Sequence, residues 1–461
     1  MRRLDTSTRP RDVAAMTADA LLRRLVFSAP VGGAAWAVGL LAAQALRPRA
    51  MQSLLLRVSA AARMIGQGSP ERRAEESFLQ RERFLARFLE LYPPSRLGRL
   101  IGRGLQLTAH LRLRRLLRRL APSRAPDLVT LFYSPTTRCN LTCAGCYTAS
   151  QQGASPASLA AMRLMADEAT AVGAVALVIV GHGEPFVDEE STHRLLRLAA
   201  AYPWLNFIVY TNGTTVDEPL ARELARHLNL FVLVSIDGPE RENDERRGAG
   251  VYRLATAAMD RLLTHHVPFG FAVTVTSRNH EALVQPTFID AMARRGCLVG
   301  IYCVYAPVDV RSSTDLVLSN AALARYRAAV VQVAGRVEIP VVDPEIFEMA
   351  HGCSARNGRT LYVDGVSGQI RPCVKYPIGP DDAVLDGPGA LVRALQHPFF
   401  VALRRPDDGS HRCPRDPCGE LDALCAGLPE DEGQRRFAQG YRQRLRSFCR
   451  GPSHVPNAEE C

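Results

Sequence analysis

The chain has 461 residues, 47% of them hydrophobic and 22% charged, which excludes wholesale disorder and fibrous repeats and leaves room for roughly two to three domains. Its net charge of +11 is concentrated at one end. Residues 1–126 hold 24 Arg against 8 acidic residues, +16 locally, so the remainder carries about −5. This basic part lacks the interleaved aromatics and zinc-finger spacings of a nucleic-acid reader, so no nucleic-acid partner is expected. None of the twelve Cys precedes Cys139 and seven fall between Cys353 and Cys461, a clustering that points to metal chemistry and away from a disulfide framework.

In chain order, residues 1–126 read as a helical, basic region that associates with a membrane. Leu25 to Leu46 carries no charge and is flanked by Arg23, Arg24, Arg47 and Arg49. As a helix it would be about 33 Å long, enough to cross a bilayer. Pro30 and the Ala/Gly content keep a buried or interfacial helix equally open. Residues 70–92 place Phe78, Leu85, Phe88, Leu89 and Tyr92 on one helical stripe. Residues 99–120 end in LRLRRLLRRL, a basic amphipathic pattern suited to an anionic membrane surface or to packing on a neighbouring domain. Pro122 and Pro126 mark a linker.

Beyond the linker, short apolar runs alternate with helical stretches. Strands are expected at 129–135, 175–180, 206–211, 230–236, 269–275 and 299–305. Helices are expected at 156–171, 192–202, 217–228, 251–265 and 281–295. Such alternation implies α/β architecture, with parallel βαβ units sharing one sheet or barrel. In these folds chemistry gathers at the C-terminal ends of the strands.

Directly after the first strand lies Thr-Thr-Arg-Cys-Asn-Leu-Thr-Cys-Ala-Gly-Cys-Tyr, which sets Cys139, Cys143 and Cys146 in a C-x3-C-x2-C loop. Three thiolates can hold three irons of a [4Fe–4S] cluster and leave the fourth iron open for chemistry. A structural zinc site is the alternative. After the second strand comes Gly181-His182-Gly183-Glu184-Pro185. The third strand ends in Thr211-Asn212-Gly213, the fourth in Ser235-Ile236-Asp237-Gly238. In this order the motifs resemble the radical S-adenosylmethionine (SAM) superfamily. The resemblance implies a partial (βα)6 TIM-like barrel over residues 127–338, with an α-helical region (1–126) before it and a small Cys-rich domain (339–461) after it. It further implies that SAM chelates the open iron, is cleaved reductively to a 5′-deoxyadenosyl radical, and thereby removes hydrogen from an unactivated C–H bond.

Cofactor contacts implied by the same resemblance are Tyr147, Gly183, Glu184, Pro185, Thr211, Asn212, Ser235, Asp237 and Arg247. His182 stands where the family has Gly; a lone His in a turn reads as a surface residue and receives no role. The position before the third Cys, usually aromatic, is Gly145. Downstream, Cys353 and Cys373 bracket an expected β-hairpin, and Cys413 with Cys418 or Cys425 completes four thiolates. This pattern resembles the SPASM or twitch auxiliary domains, implying a second Fe–S cluster, with zinc as the rival. Cys297 and Cys303 read as structural thiols. Implied partners are a low-potential electron donor of ferredoxin or flavodoxin type and a membrane lipid, at the cytoplasmic face of the membrane. A lipid or other hydrophobic substrate is expected; peptide maturation and a non-catalytic Fe–S or zinc scaffold are the alternatives.

Overall fold

The computed structural model describes residues 87–120, 130–146, 155–180, 182–306, 315–346, 353–375 and 379–404, with isolated positions elsewhere, chiefly between 23 and 38. Most of residues 1–86, and all of 405–461 with Cys413, Cys418 and Cys425, lie outside the described residues. The chain divides into two compact units. One holds residues 1–125 with Tyr202–Trp204 and Ala225–Asn229; the other holds the rest of the chain.

The first unit is built on α1 (Pro94–Leu120), opened by Pro94, whose missing N–H costs nothing in the first turn. The helix expected over residues 99–120 is therefore present and begins earlier, at Pro94. Leu89, Tyr92 and Leu97 are buried, whereas Leu105 and Leu113 stand 45% and 42% exposed among the arginines. Arg96 is buried and Arg103 half-buried. Arg96 donates to the Ala225 carbonyl at 2.5 Å and Arg103 to the Pro203 carbonyl at 3.1 Å. Burial lowers both guanidiniums to about 10. Among the described residues no helix is long and apolar enough to cross a membrane; most of Leu25–Leu46 lies outside them.

The second unit is a nine-stranded open sheet. Its strands are β1 (Thr130–Ser134), β2 (Ala176–Ile179), β3 (Asn206–Thr211), β4 (Leu230–Ser235), β5 (Phe269–Val275), β6 (Gly300–Val304), β7 (Val341–Val342), β8 (Thr360–Asp364) and β9 (Ile370–Arg371), in the spatial order β7-β6-β5-β4-β3-β2-β1-β8-β9. Every pairing is parallel except β8 with β9. Helices α2 (Leu159–Val172), α3 (Glu189–Ala201), α4 (Glu218–Leu224), α5 (Glu240–Arg247) and α6 (Val251–Thr264) connect the strands through β5. The fold is thus a partial barrel of βα units. Side-chain alternation divides its two faces: Leu131, Tyr133, Leu177, Ile179, Phe207 and Val209 are fully buried, while Phe132, Ile208 and Tyr210 on the opposite face keep partial exposure.

Local chemistry sets the boundaries. The Ser158 hydroxyl caps α2 by accepting from Ala161 N at 3.1 Å, and Gly173 ends that helix at φ +88°, as serine N-caps and left-handed glycine ends do. The helix expected at 281–295 is two helices, α7 (His280–Leu283) and α8 (Pro286–Arg294). Pro286 disfavours the helical conformation for Gln285, so the chain breaks there. After β6, α9 (Asn320–Ala334) is capped by Ser319, and α10 (Ala390–Gln396) and α11 (Pro398–Leu403) follow the hairpin. That hairpin, β8–β9, forms where Cys353 and Cys373 bracket it. It does not stand apart: β8 pairs along its whole length with β1, Thr130 opposite Thr360 and Ser134 opposite Asp364.

Candidate active site

The loop after β1 carries Cys139, Cys143 and Cys146, all half-buried thiols. Its backbone is held by its own hydrogen bonds and by α5. Cys146 N donates to Cys143 O at 3.1 Å, Leu141 N to the Cys139 sulfur at 3.5 Å, and Ala144 N to Arg246 O at 2.8 Å. Gly145 lies at φ +67°, and a Cβ there would come within 2.4 Å of Leu316 Cδ1 and 3.2 Å of the Tyr305 ring. The aromatic residue usual at this position has no room, because Leu316 and Tyr305 already fill the space. Tyr147 lies outside the described residues.

Burial pushes the Cys139 thiol up, and the neighbouring Glu184, Cys143 and Cys146 add to that effect. Burial likewise raises Cys143, against the opposing pull of Arg247 and Arg246. The three sulfurs therefore lie within electrostatic reach of one another, beside two guanidiniums that would offset thiolate charge. This donor set fits an Fe–S cluster, which takes Cys thiolates.

At the end of β2, Gly183 is wedged against the Cys loop. A Cβ on it would lie 2.5 Å from Arg138 O and 2.7 Å from Thr136 O, backbone atoms that cannot move aside. Glu184 N completes the junction by donating to Arg138 O at 2.8 Å. The Glu184 carboxylate is 2% exposed as a residue and is bracketed by donors. Its Oε1 accepts from Thr211 Oγ1 at 2.6 Å and Phe186 N at 3.1 Å, and its Oε2 accepts from Asn212 N at 2.6 Å. Burial nonetheless raises its pKa, since three hydrogen bonds and the more distant Arg247 do not fully replace water. Glu184, Thr211 and Asn212 thus form one cluster with the Cys loop. Pro185 follows in the same turn.

The β4 end makes a different arrangement. Asp237 is wholly buried. Its Oδ2 accepts from Arg246 Nη1 at 2.5 Å and Arg247 Nε at 2.7 Å, and its Oδ1 from Thr274 N at 2.7 Å. Burial alone would raise this carboxyl, but the two guanidiniums outweigh it and hold it at about 2. Asp237 therefore anchors Arg246 and Arg247 under the Cys loop, and Ser235 sits half-buried two residues before it.

Three polar residues with structural roles at this site were not singled out by sequence. Asn140 accepts from Asn212 Nδ2 and donates to Thr214 Oγ1, both at 2.8 Å, tying the Cys loop to the β3 end. Asn243 accepts from Asp237 N at 3.0 Å, and Asn279 donates to Asp237 O and Thr274 O, each at 2.9 Å. Position inside the C-N-L-T-C motif was the available signal for Asn140, and Asn243 lies four residues before Arg247 in Asn243-Asp244-Glu245-Arg246-Arg247. His182 corrects its expectation. It is 4% exposed, with Tyr362 and Asp364 of β8 around its ring. Cys353 and Cys373 are half-buried at either end of the hairpin. Cys413 and Cys418 lie outside the described residues.

Residues 133–285 match the Radical SAM superfamily. Fe-coproporphyrin III synthase of Methanosarcina barkeri is 24% identical over 201 residues, 43% of this chain and 49% of that protein. Pre-heme d1 synthase of Dinoroseobacter shibae is 31% identical over 166 residues, 35% of this chain and 40% of that protein. The chain spans half or less of the length of these curated relatives. The crystal structure of Streptococcus suis SuiB bound to precursor peptide SuiA superposes with a TM-score of 0.51 at 15% identity, over 66% of this chain and 73% of that one, a likeness of fold.

Proposed function

We propose that the chain is an enzyme of the radical SAM class, with its domain at residues 133–285, and that it abstracts hydrogen from an unactivated C–H bond of a hydrophobic substrate. Cys139, Cys143 and Cys146 would hold a [4Fe–4S] cluster, which together with SAM would supply hydrogen-abstracting radical chemistry. The observation that carries the reading is the Glu184 cluster. A buried carboxylate whose pKa is raised by desolvation gains most from a cationic partner, and an α-ammonium group is one. Thr211 and Asn212 orient that carboxylate. Arg247, largely buried near Cys143, is the group to meet an α-carboxylate.

An apolar cluster on the sheet supports the hydrophobic substrate. Val178, Val180 and Tyr362 pack in one apolar cluster with Phe132, Ile208, Tyr210 and Val374. The two sequence relatives are, by name, Fe-coproporphyrin III synthase and pre-heme d1 synthase. The exposed leucines of α1 suit a lipid environment at the cytoplasmic face of a membrane. Cys353 and Cys373 would contribute to a second cluster, and a ferredoxin or flavodoxin would supply electrons.

The test is anaerobic reconstitution with iron, sulfide, SAM and dithionite. 5′-Deoxyadenosine is expected from the wild type and not from Cys143→Ala. A normal cluster spectrum without 5′-deoxyadenosine would instead identify a scaffold. Comparative lipid and peptide mass spectrometry of a deletion strain separates a changed lipid, the expected outcome, from a changed peptide.

A further inference from the structure

The turn that carries Glu184 is held from both sides. On one side Gly183 abuts Thr136 and Arg138. On the other, His182 enters a closed polar cluster contributed by β1 and β8. The Tyr362 hydroxyl lies 2.9 Å from His182 Nδ1 and 3.2 Å from Nε2, and it donates to Ser134 Oγ at 3.1 Å. Ser134 Oγ in turn donates to Val180 O at 2.8 Å and accepts from His182 N at 3.3 Å. Asp364 Oδ2 stands 3.6 Å from His182 Nδ1. None of the four side chains belongs to a residue more than 4% exposed.

Two of the four, Tyr362 and Asp364, arrive from the hairpin some 180 residues later in the chain. Gly365 N donates to Ser134 O at 2.8 Å and Asp364 faces Ser134 in the parallel register, so the hairpin seals the cluster only when docked on β1. We infer that His182 is a positioning residue through which the C-terminal hairpin sets the Gly183–Glu184 turn, so that docking of β8 on β1 is what completes the SAM pocket. This rests on the proposed SAM-binding role of Glu184. Buried polar networks are worth most when every member is satisfied, and here the partners of His182 come from two strands, Ser134 from β1 and Tyr362 with Asp364 from β8. A Gly at position 182, as the family has, would forgo the anchor entirely.

The test is titration of SAM into the anaerobically reconstituted full chain, wild type against His182→Gly, Tyr362→Phe and Asp364→Asn. His182→Gly is expected to weaken SAM binding about tenfold, and Tyr362→Phe, which deletes one oxygen, about fivefold. KM for SAM should rise by the same factors while kcat for 5′-deoxyadenosine formation at saturating SAM stays within about twofold. If His182→Gly does not fold, Tyr362→Phe decides. Wild-type affinity in the variants overturns the inference, as does a loss of kcat in proportion to the folded fraction with KM unchanged. A wild-type chain that binds no SAM overturns the functional reading beneath it.

Discussion

Asp237→Asn removes one charge from the most enclosed ion cluster of the site. The wild-type carboxyl is held at about 2 against an ordinary 3.8, a shift worth about 2.4 kcal/mol at 1.36 kcal/mol per unit. Because the native pKa is depressed, that stabilisation is complete above about pH 4 and disappears as pH falls toward 2. The substitution does more than forgo it. Arg246 and Arg247, with side chains 12% and 9% exposed, are left facing each other with no anion, and breaking a buried pair costs about 3–5 kcal/mol. With a urea m-value of about 3 kcal/mol/M or more for a chain this long, the midpoint should fall by roughly 1 M or more. Urea unfolding followed by circular dichroism from about pH 7 to about pH 2.5 tests both parts, the gap between wild type and variant narrowing below pH 4. A variant as stable as the wild type, or a gap constant across that range, refutes the argument.

Gly183→Ala would drive a Cβ into the carbonyls of Thr136 and Arg138. An overpacking cost of about 1–3 kcal/mol and loss of SAM binding are expected, read by thermal unfolding and calorimetric titration. Cys353→Ala and Cys373→Ala should each lower the iron content of the reconstituted protein from about eight to about four per chain, with the cluster of Cys139, Cys143 and Cys146 retained. Iron and acid-labile sulfide assays check it.

Much of the barrel is legible before any coordinates. The six strands through β6 were expected within a residue of where they lie, because each is an apolar run cut off by turn chemistry. The helix after β5 misled, since its apolar spacing continues through Pro286 while its backbone does not. What sequence could not convey is pairing at a distance. The period of 360–371 indicates a hairpin but says nothing of what its outer edge meets, so the parallel docking of β8 on β1 was invisible. His182 looked superficial for the same reason: the tyrosine and aspartate that enclose it are encoded far downstream. The residues of the Glu184 cluster were readable as motifs, and the reason for Gly145 became plain only with Leu316 and Tyr305 in place.

The sheet never closes through its backbone, yet its two margins are joined. Lys375, the one lysine of the chain, follows β9 at one margin. Its ammonium meets Glu345, just past β7, and the Val304 carbonyl at the end of β6, near the opposite margin. A single primary amine therefore staples the mouth of an otherwise split cylinder. An acylating reagent aimed at lysines would have only that side chain to modify, and in doing so would unclasp the seam.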